Sequence, residues 1–470
     1  MYECQAMIRI VPGGARNFRE KGNGRRTMGL FDLFGGGKKK AAEEEAQNEQ
    51  RRIEEHDKTV EDQKQAHSSL PWPTVARLNI LQPKDSDAVK ADDPLSAERK
   101  DEIGPLIYEP ELKPDDVKDF TLQELLFLLS AQEIFNRRAA LIDYEKNRRV
   151  LYNDFLRRIH ESEKIYVLYD KRTRYPLIDG GFAVIYLDRE HADRAVQLYA
   201  KQFRDLEVKE QPGEAAPAAD NGQRQATTFD YLWFLGLQSI VVDNGWYKGF
   251  VKRDEIAVPP TFNVDPKKVP PAAPGLVFTM LDYLGERKWP VNYKNRDAIL
   301  HKKEERMYNQ IRRTLFLVPV QLTQAPEGVS NGILVGPLAG KEIRLALLKA
   351  KDKSGTGEKN LLPVYTDFIE YSKTAFAKGG LKPLGFRFAN LGHFLDNVDA
   401  MIINSNGEGL VIPKAKALEL QKADSVNAQT ITTPAPQAAP SGEAPAAAAN
   451  DSADALGTAS QEDHAGHLVE

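Results

Sequence analysis

The chain has 470 residues, enough for two or three domains, with 64 basic and 68 acidic residues and a net charge of −4. That balance gives no electrostatic case for nucleic acid. No run of 18 apolar residues is present to span a bilayer, and the lone cysteine, Cys4, excludes a disulfide framework and a cysteine zinc site.

Met1–Thr27 is basic, Gly/Arg-rich and without helical or strand period. Met28-Gly-Leu-Phe-Asp-Leu-Phe reads like a natural start, so residues 1–27 are expected to be an upstream extension or a floppy leader. Leu30, Phe31, Leu33 and Phe34, followed by Lys38–Lys40, could touch an anionic membrane surface; a solvated start with a glycine hinge is the plainer reading. Ala41–Ser68 lacks an apolar stripe and reads as a solvated helix or disorder, so 1–70 is taken as a charged, disordered region. Residues 71–120 read as an extended connector, with Trp72, Val75, Leu78 and Ile80 fitting an edge strand.

Thr121 and Glu124 form a capping box, stapled by Phe120, and helical spacing then runs from Leu125 to about His160. It is either one long helix over 121–160 or two, broken near Asn136 or Asn147. Such a helix packs on a sheet or serves a dimer or partner contact.

Residues 161–256 read as a first α/β module. Strands are expected at Ile165–Tyr169, Phe182–Leu187 and Leu206–Val208, with a helix capped by Asp188. Glu210–Thr228 is an Ala/Pro/Gly-rich insert, Phe229–Leu237 a short helix, and Ser239–Asp243 with Gly249–Lys252 a hairpin through Asn244-Gly245. Residues 257–295 read as a Pro-rich linker, and Arg296–Arg313 as a basic amphipathic helix opening a second module over 296–420. There, strands are expected at Leu315–Val320, Ile343–Leu348, Leu361–Tyr365, Pro383–Phe388, Ala400–Asn404 and Leu410–Ile412, with a helix capped by Asp367 and Glu370. Residues 421–470 are an Ala/Pro-rich tail unable to bury enough apolar surface to fold.

The fold class is therefore α/β (α+β), with two tandem modules of mixed sheet. Phe182-Ala-Val-Ile-Tyr-Leu-Asp188 sits over Leu361-Leu-Pro-Val-Tyr-Thr-Asp367, and Ser239–Asp243 over Ala400–Asn404. Asp188 and Asp243 are 55 residues apart and Asp367 and Asn404 are 37 apart, a mismatch of about the size of the Glu210–Thr228 insert. Ile165–Tyr169 could match either Leu315–Val320 or Ile343–Leu348.

The second module resembles the SseB N-terminal domain of bacteria. The matching stretches are Leu315-Phe-Leu-Val-Pro-Val320, Leu362-Pro-Val-Tyr-Thr-Asp367, Arg387-Phe-Ala-Asn390 and Ile402-Ile-Asn404 before Asn-Gly. The resemblance covers residues 314–413 and implies a small α/β domain with no agreed enzymatic activity; a reducing cytosol is the expectation from the single cysteine, though a secreted protein without disulfides would look the same. A divergent second copy at 164–254 has Val184 in place of Pro363 and Leu187 in place of Thr366.

No His-Glu-x-x-His or Gly-x-Ser-x-Gly is present, and Gly336–Glu342 is one residue short of a P-loop, with Glu342 in place of the Ser or Thr that holds magnesium. No catalytic, cofactor or metal site is expected. The candidate cleft is the strand end of the second module, with Asp367, Arg387, Asn390, His393 and Asn404. Trp233, Trp246, Tyr247 and Phe250 are a candidate partner patch. The expected role is a non-enzymatic scaffold or regulatory module that binds protein and could form a homodimer. A small-ligand sensor or enzyme using the Asp367/His393 cleft, and a peripheral membrane adaptor, are the alternatives.

Overall fold

The computed structural model describes residues 35–428 apart from 76, 79–90, 219–221, 223, 266–268, 323–328, 331–332, 335–342, 352–356 and 380. Leu30, Phe31, Leu33 and Phe34, the Gly336–Glu342 stretch and most of the 421–470 tail lie outside the described residues. The architecture is α/β: open mixed sheets with flanking helices.

The first described element is α1 (Gly35–His67), so the 1–70 region is helical over 35–67. His67 is buried, against Tyr108 and Phe135. The 71–120 connector contains α2 (Ala97–Ile103), a 3-10 turn over Gly104–Tyr108 and α3 (Pro114–Val117). Trp72–Val75 forms no strand; Trp72 instead stacks on Phe135 at 5.1 Å. Apolar burial of a large ring, not ladder pairing, fixes this segment.

The 121–160 stretch is two helices, α4 (Leu122–Arg138) and α5 (Tyr144–His160). The Thr121–Glu124 capping box opens α4. The break follows from local chemistry: the Leu141 amide donates to Asn136 Oδ1 at 2.9 Å, and Asp143 takes a left-handed backbone at φ 48°. Both residue types compete well with helical hydrogen bonding.

The first sheet contains β1 (Lys164–Asp170), β2 (Tyr175–Pro176), β3 (Ile178–Asp179), β4 (Phe182–Tyr186), β5 (Leu206–Pro212), β6 (Ser239–Val242) and β7 (Gly249–Lys252). Helix α6 (Arg189–Ala200) follows β4, α7 (Thr228–Phe234) precedes β6, and α8 (Arg253–Ile256) follows β7. Strand β5 runs along all of β1, β4 pairs β1 antiparallel, β6 joins β4 in parallel, and β7 closes the edge. The insert expected at Glu210–Thr228 is shorter, because Glu210–Pro212 belongs to β5.

Helices α9 (Pro274–Lys288) and α10 (Arg296–Arg313) lead to the second module. Residues 257–295 are thus not all linker; Pro274 opens a helix, the one position where proline costs no hydrogen bond. The strands are β8 (Leu315–Leu322), β9 (Val329–Ser330), β10 (Ile333–Leu334), β11 (Ile343–Leu345), β12 (Leu348–Lys351), β13 (Glu358–Val364), β14 (Lys382–Arg387), β15 (Ala400–Ile403) and β16 (Leu410–Pro413). Helices α11 (Phe368–Ser372) and α12 (Ala375–Lys378) follow β13, α13 (Gly392–Leu395) precedes β15, and α14 (Lys414–Ala428) follows β16.

The two copies share strand order and register. Strand β14 lies antiparallel to β8, β8 meets β13 through paired bonds between Leu317 and Tyr365, β13 runs parallel to β15, and β16 closes the edge. Ile185 lies opposite Val242 as Val364 lies opposite Ile403; Ser239 lies opposite Lys252 as Ala400 lies opposite Pro413. Tyr166 faces Tyr186 as Leu317 faces Tyr365, which matches β1 to β8 and resolves the ambiguity at Ile165–Tyr169. Ile343–Leu348 is the counterpart of β2 and β3: β11 pairs β8, then β12 pairs β13. The likeness extends upstream, since α5 and α10 both start after a left-handed residue, Asp143 and Asn295. Copy two differs mainly by the β9–β10 addition beside β14.

Copy one buries both sheet faces. Ala183 and Ile185 face the core shared with α4 and α5, while Val184 and Tyr186 face the core under α6. The period of two places both sets, as expected of a covered parallel pair. Helix α9 serves two cores: Val277 and Leu281 pack into that of copy one, Leu276, Met280 and Leu284 into that of copy two. Each fully buried side chain of this size contributes roughly 1.5–3 kcal/mol.

Candidate functional site

In each copy the parallel strand pair ends beside the start of a helix, the place where open α/β sheets hold ligands. In copy one, Asp188 caps α6, its Oδ1 accepting from the Glu190 and His191 amides at 2.7 and 3.1 Å. This cap turns His191 toward the end of β6. There Asp243 is fully buried in a left-handed backbone at φ 56°, its amide donating to Ile185. Asp243 Oδ2 accepts from Gln123 Nε2 at 2.7 Å and lies 3.1 Å from His191 Nδ1. Its other oxygen, Oδ1, has no hydrogen-bond partner among the described residues. The His191 ring stacks on Trp246, with centroids 4.1 Å apart.

The electrostatics make Asp243 and His191 one unit. Burial raises the Asp243 carboxyl above its ordinary range, opposed by the His191 hydrogen bond. Burial opposes the His191 cation, but the hydrogen bond and charge of Asp243 outweigh it, and its pKa is raised. The pair therefore holds a proton more tightly than either group alone.

A pocket of about 680 Å3 opens at this point, between the Pro94–Arg99 segment, the start of α4 and the Leu187–His191 corner. Its volume is in the range of ligand sites. Glu124 on its wall is already occupied, accepting from the Thr121 amide at 2.6 Å and from Arg99 Nε at 2.6 Å.

Copy two has a different strand end, and here the sequence expectation needs correction. Asp367 and Asn404 do come together, through Thr366: Asn404 Nδ2 donates to Thr366 Oγ1 at 2.9 Å, and Thr366 Oγ1 donates to Asp367 Oδ2 at 2.8 Å. All three are buried, and Asp367 caps α11. Arg387 and Asn390 are exposed, and among the described residues neither is hydrogen-bonded to that trio. His393 lies in α13; its side chain is outside the described residues. Of the four whose side chains are described, the buried Asp367 and Asn404 are joined and the exposed Arg387 and Asn390 are not bonded to them.

Copy one fills the place where such a cleft would lie. Ala272 bridges to Asp367, and the tight turn between β1 and β2 reaches across. Arg174 donates to the Gly407 carbonyl at 3.2 Å, and the Tyr175 hydroxyl lies 3.1 Å from Glu370 Oε1 and 3.2 Å from Glu408 Oε2. Gly407 is required, because a Cβ there would come within 2.2 Å of that hydroxyl. A phenol has one proton and cannot donate to two carboxylates. Glu370 has Lys373 at 2.5 Å as counter-charge. Glu408 is driven toward its protonated form: burial and the nearby Glu370 push its pKa up to about 7.

The aromatic patch also disperses. Trp233 meets Phe234, Trp246 meets His191, Tyr247 packs on Phe127, and Phe250 meets Phe182. Tyr247 is buried, its hydroxyl donating to Asp93, whereas Phe250 is exposed. No shared surface unites the four.

Sequence reasoning missed His191 and Asp243 as a site. The signal was in the repeat: the alignment that places Asp188 over Asp367 also places His191 over Glu370, and Asp243 over Asn404. Among the described residues no cluster of three or more metal-ligating side chains occurs, and no helix is long and apolar enough to cross a membrane. Compared with known families, curated proteins and solved structures, the chain matches none.

Proposed function

We propose that the chain is a non-enzymatic binding protein of SseB type, in which copy two is a structural support and copy one offers its strand end to a protein partner. The observation that carries this reading is the asymmetry of two like-built sites: one is plugged by the neighbouring copy, the other borders a pocket among the described residues. A scaffold role in the bacterial cytoplasm fits this arrangement.

The test is selection of a random peptide library on the full chain and on a Leu187→Trp variant that fills the pocket. Enrichment on the parent that disappears on the variant supports the reading. No enrichment on either overturns it. A second reading, a small-ligand sensor or enzyme, draws on the His191–Asp243 pair, whose geometry suits proton transfer. A thermal-shift screen of metabolites decides for it if a compound stabilises the parent and not Asp243→Asn.

A further inference from the structure

We propose that the copy-one pocket takes a cationic side chain, an arginine or lysine presented by a partner polypeptide. This deepens the binding role above and rests on it. Three observations carry it.

The first is the unsatisfied oxygen. Asp243 is buried at the pocket wall, and among the described residues its Oδ1 lacks a donor. A buried acceptor left unpaired is costly, and the ligand group that satisfies a carboxylate oxygen is an N–H donor, best a charged one. The second is the wall. Leu95, Leu122 and Leu187 line the pocket around the polar end, which suits an aliphatic stem carrying a charged head. The wall cations are already engaged, Arg99 by Glu102 and Glu124 and His191 by Asp243 Oδ2.

The third is the molecule's own precedent. The matching strand end of copy two is acceptor-rich, and what fills it is a polypeptide turn whose donors are an arginine, bonded to the Gly407 carbonyl, and a tyrosine hydroxyl beside Glu370 and Glu408. Trp246 stands in copy one where Gly407 stands in copy two, and its ring stacks on His191, covering that side of the corner. The copy-one ligand therefore reaches Asp243 from the Leu95–Leu187 side.

The experiment is calorimetric titration of the full chain with acetyl-Lys-Arg-Thr-Arg-Tyr-amide, the sequence of residues 171–175, and with its uncharged counterpart bearing citrulline for both arginines and norleucine for the lysine. Agmatine is the free-amine control. The key variant is Asp243→Asn, which keeps the shape; Asn404 occupies the same left-handed corner in copy two, so the fold accepts it. Saturable binding is expected, about tenfold or more weaker for the citrulline peptide and for Asp243→Asn. Equal affinity of the two peptides, or an unchanged Asp243→Asn, overturns the assignment. Agmatine binding as tightly as the peptide overturns the polypeptide source. If library selection at the pocket instead yields acidic or wholly apolar peptides, the binding role stands and this assignment fails.

Discussion

The two strand ends share backbone, register and a left-handed corner, yet they have opposite fates. In copy two the corner residue is Asn404, whose amide satisfies Thr366 on both sides, and the space above it is closed by Ala272 and Tyr175. In copy one the corner is Asp243, with one oxygen unpaired among the described residues, and a pocket borders it. The difference teaches that a duplicated scaffold can divide its labour by changing side chains at one end of a sheet. The copy that gives up its cleft gains an interface; the other keeps a site.

The strongest way to break this comparison is to unplug copy two. Tyr175→Ala removes a buried ring and leaves Glu370 and Glu408 facing a void, and should cost about 3–5 kcal/mol in denaturant unfolding. An unchanged midpoint would show that the turn only rests on copy two.

The pH dependence sharpens it next. The folded-state pKa of Glu408 is raised from 4.5 to about 7, so the folded state holds its proton more tightly than the unfolded chain. Its contribution is complete below about pH 4.5 and is lost as pH rises through about 7, about 3 kcal/mol in all. Asp243 also has a raised pKa and moves stability in the same direction, so the measurement compares wild type with Glu408→Gln. The wild-type loss between pH 5 and 8 should shrink in the variant.

Exchanging the corner residues gives the smallest and most asymmetric effect. Asn404→Asp removes the donor to Thr366 and buries a charge close to Asp367, at a cost of about 2–3 kcal/mol. Asp243→Asn removes a carboxylate that is only half used, and should stay within about 1 kcal/mol. Equal costs in thermal unfolding would mean that the corners are equivalent after all.

Much of the fold was legible in the sequence because it rests on local chemistry. The Thr121–Glu124 box, the Asp188 and Asp367 caps, the Arg296–Arg313 helix and the Asn244-Gly245 hairpin each follow from a few adjacent residues. Helix α9 was not legible, because its prolines read as linker and its apolar residues face two different cores. The site was missed for a related reason. Asp243 reads as a hairpin residue until Gln123, 120 positions earlier, and His191, 52 positions earlier, are brought to it. The cleft expected at Asp367 left out a distant turn that packs there, which no local pattern announces.

Helix α9 carries one more consequence. With Val277 and Leu281 given to one core and Met280 and Leu284 to the other, neither half can melt without stripping the same helix from its neighbour. Heat should therefore dissolve both halves in a single calorimetric peak, and a protease cut upstream of Pro274 would release no self-sufficient fragment.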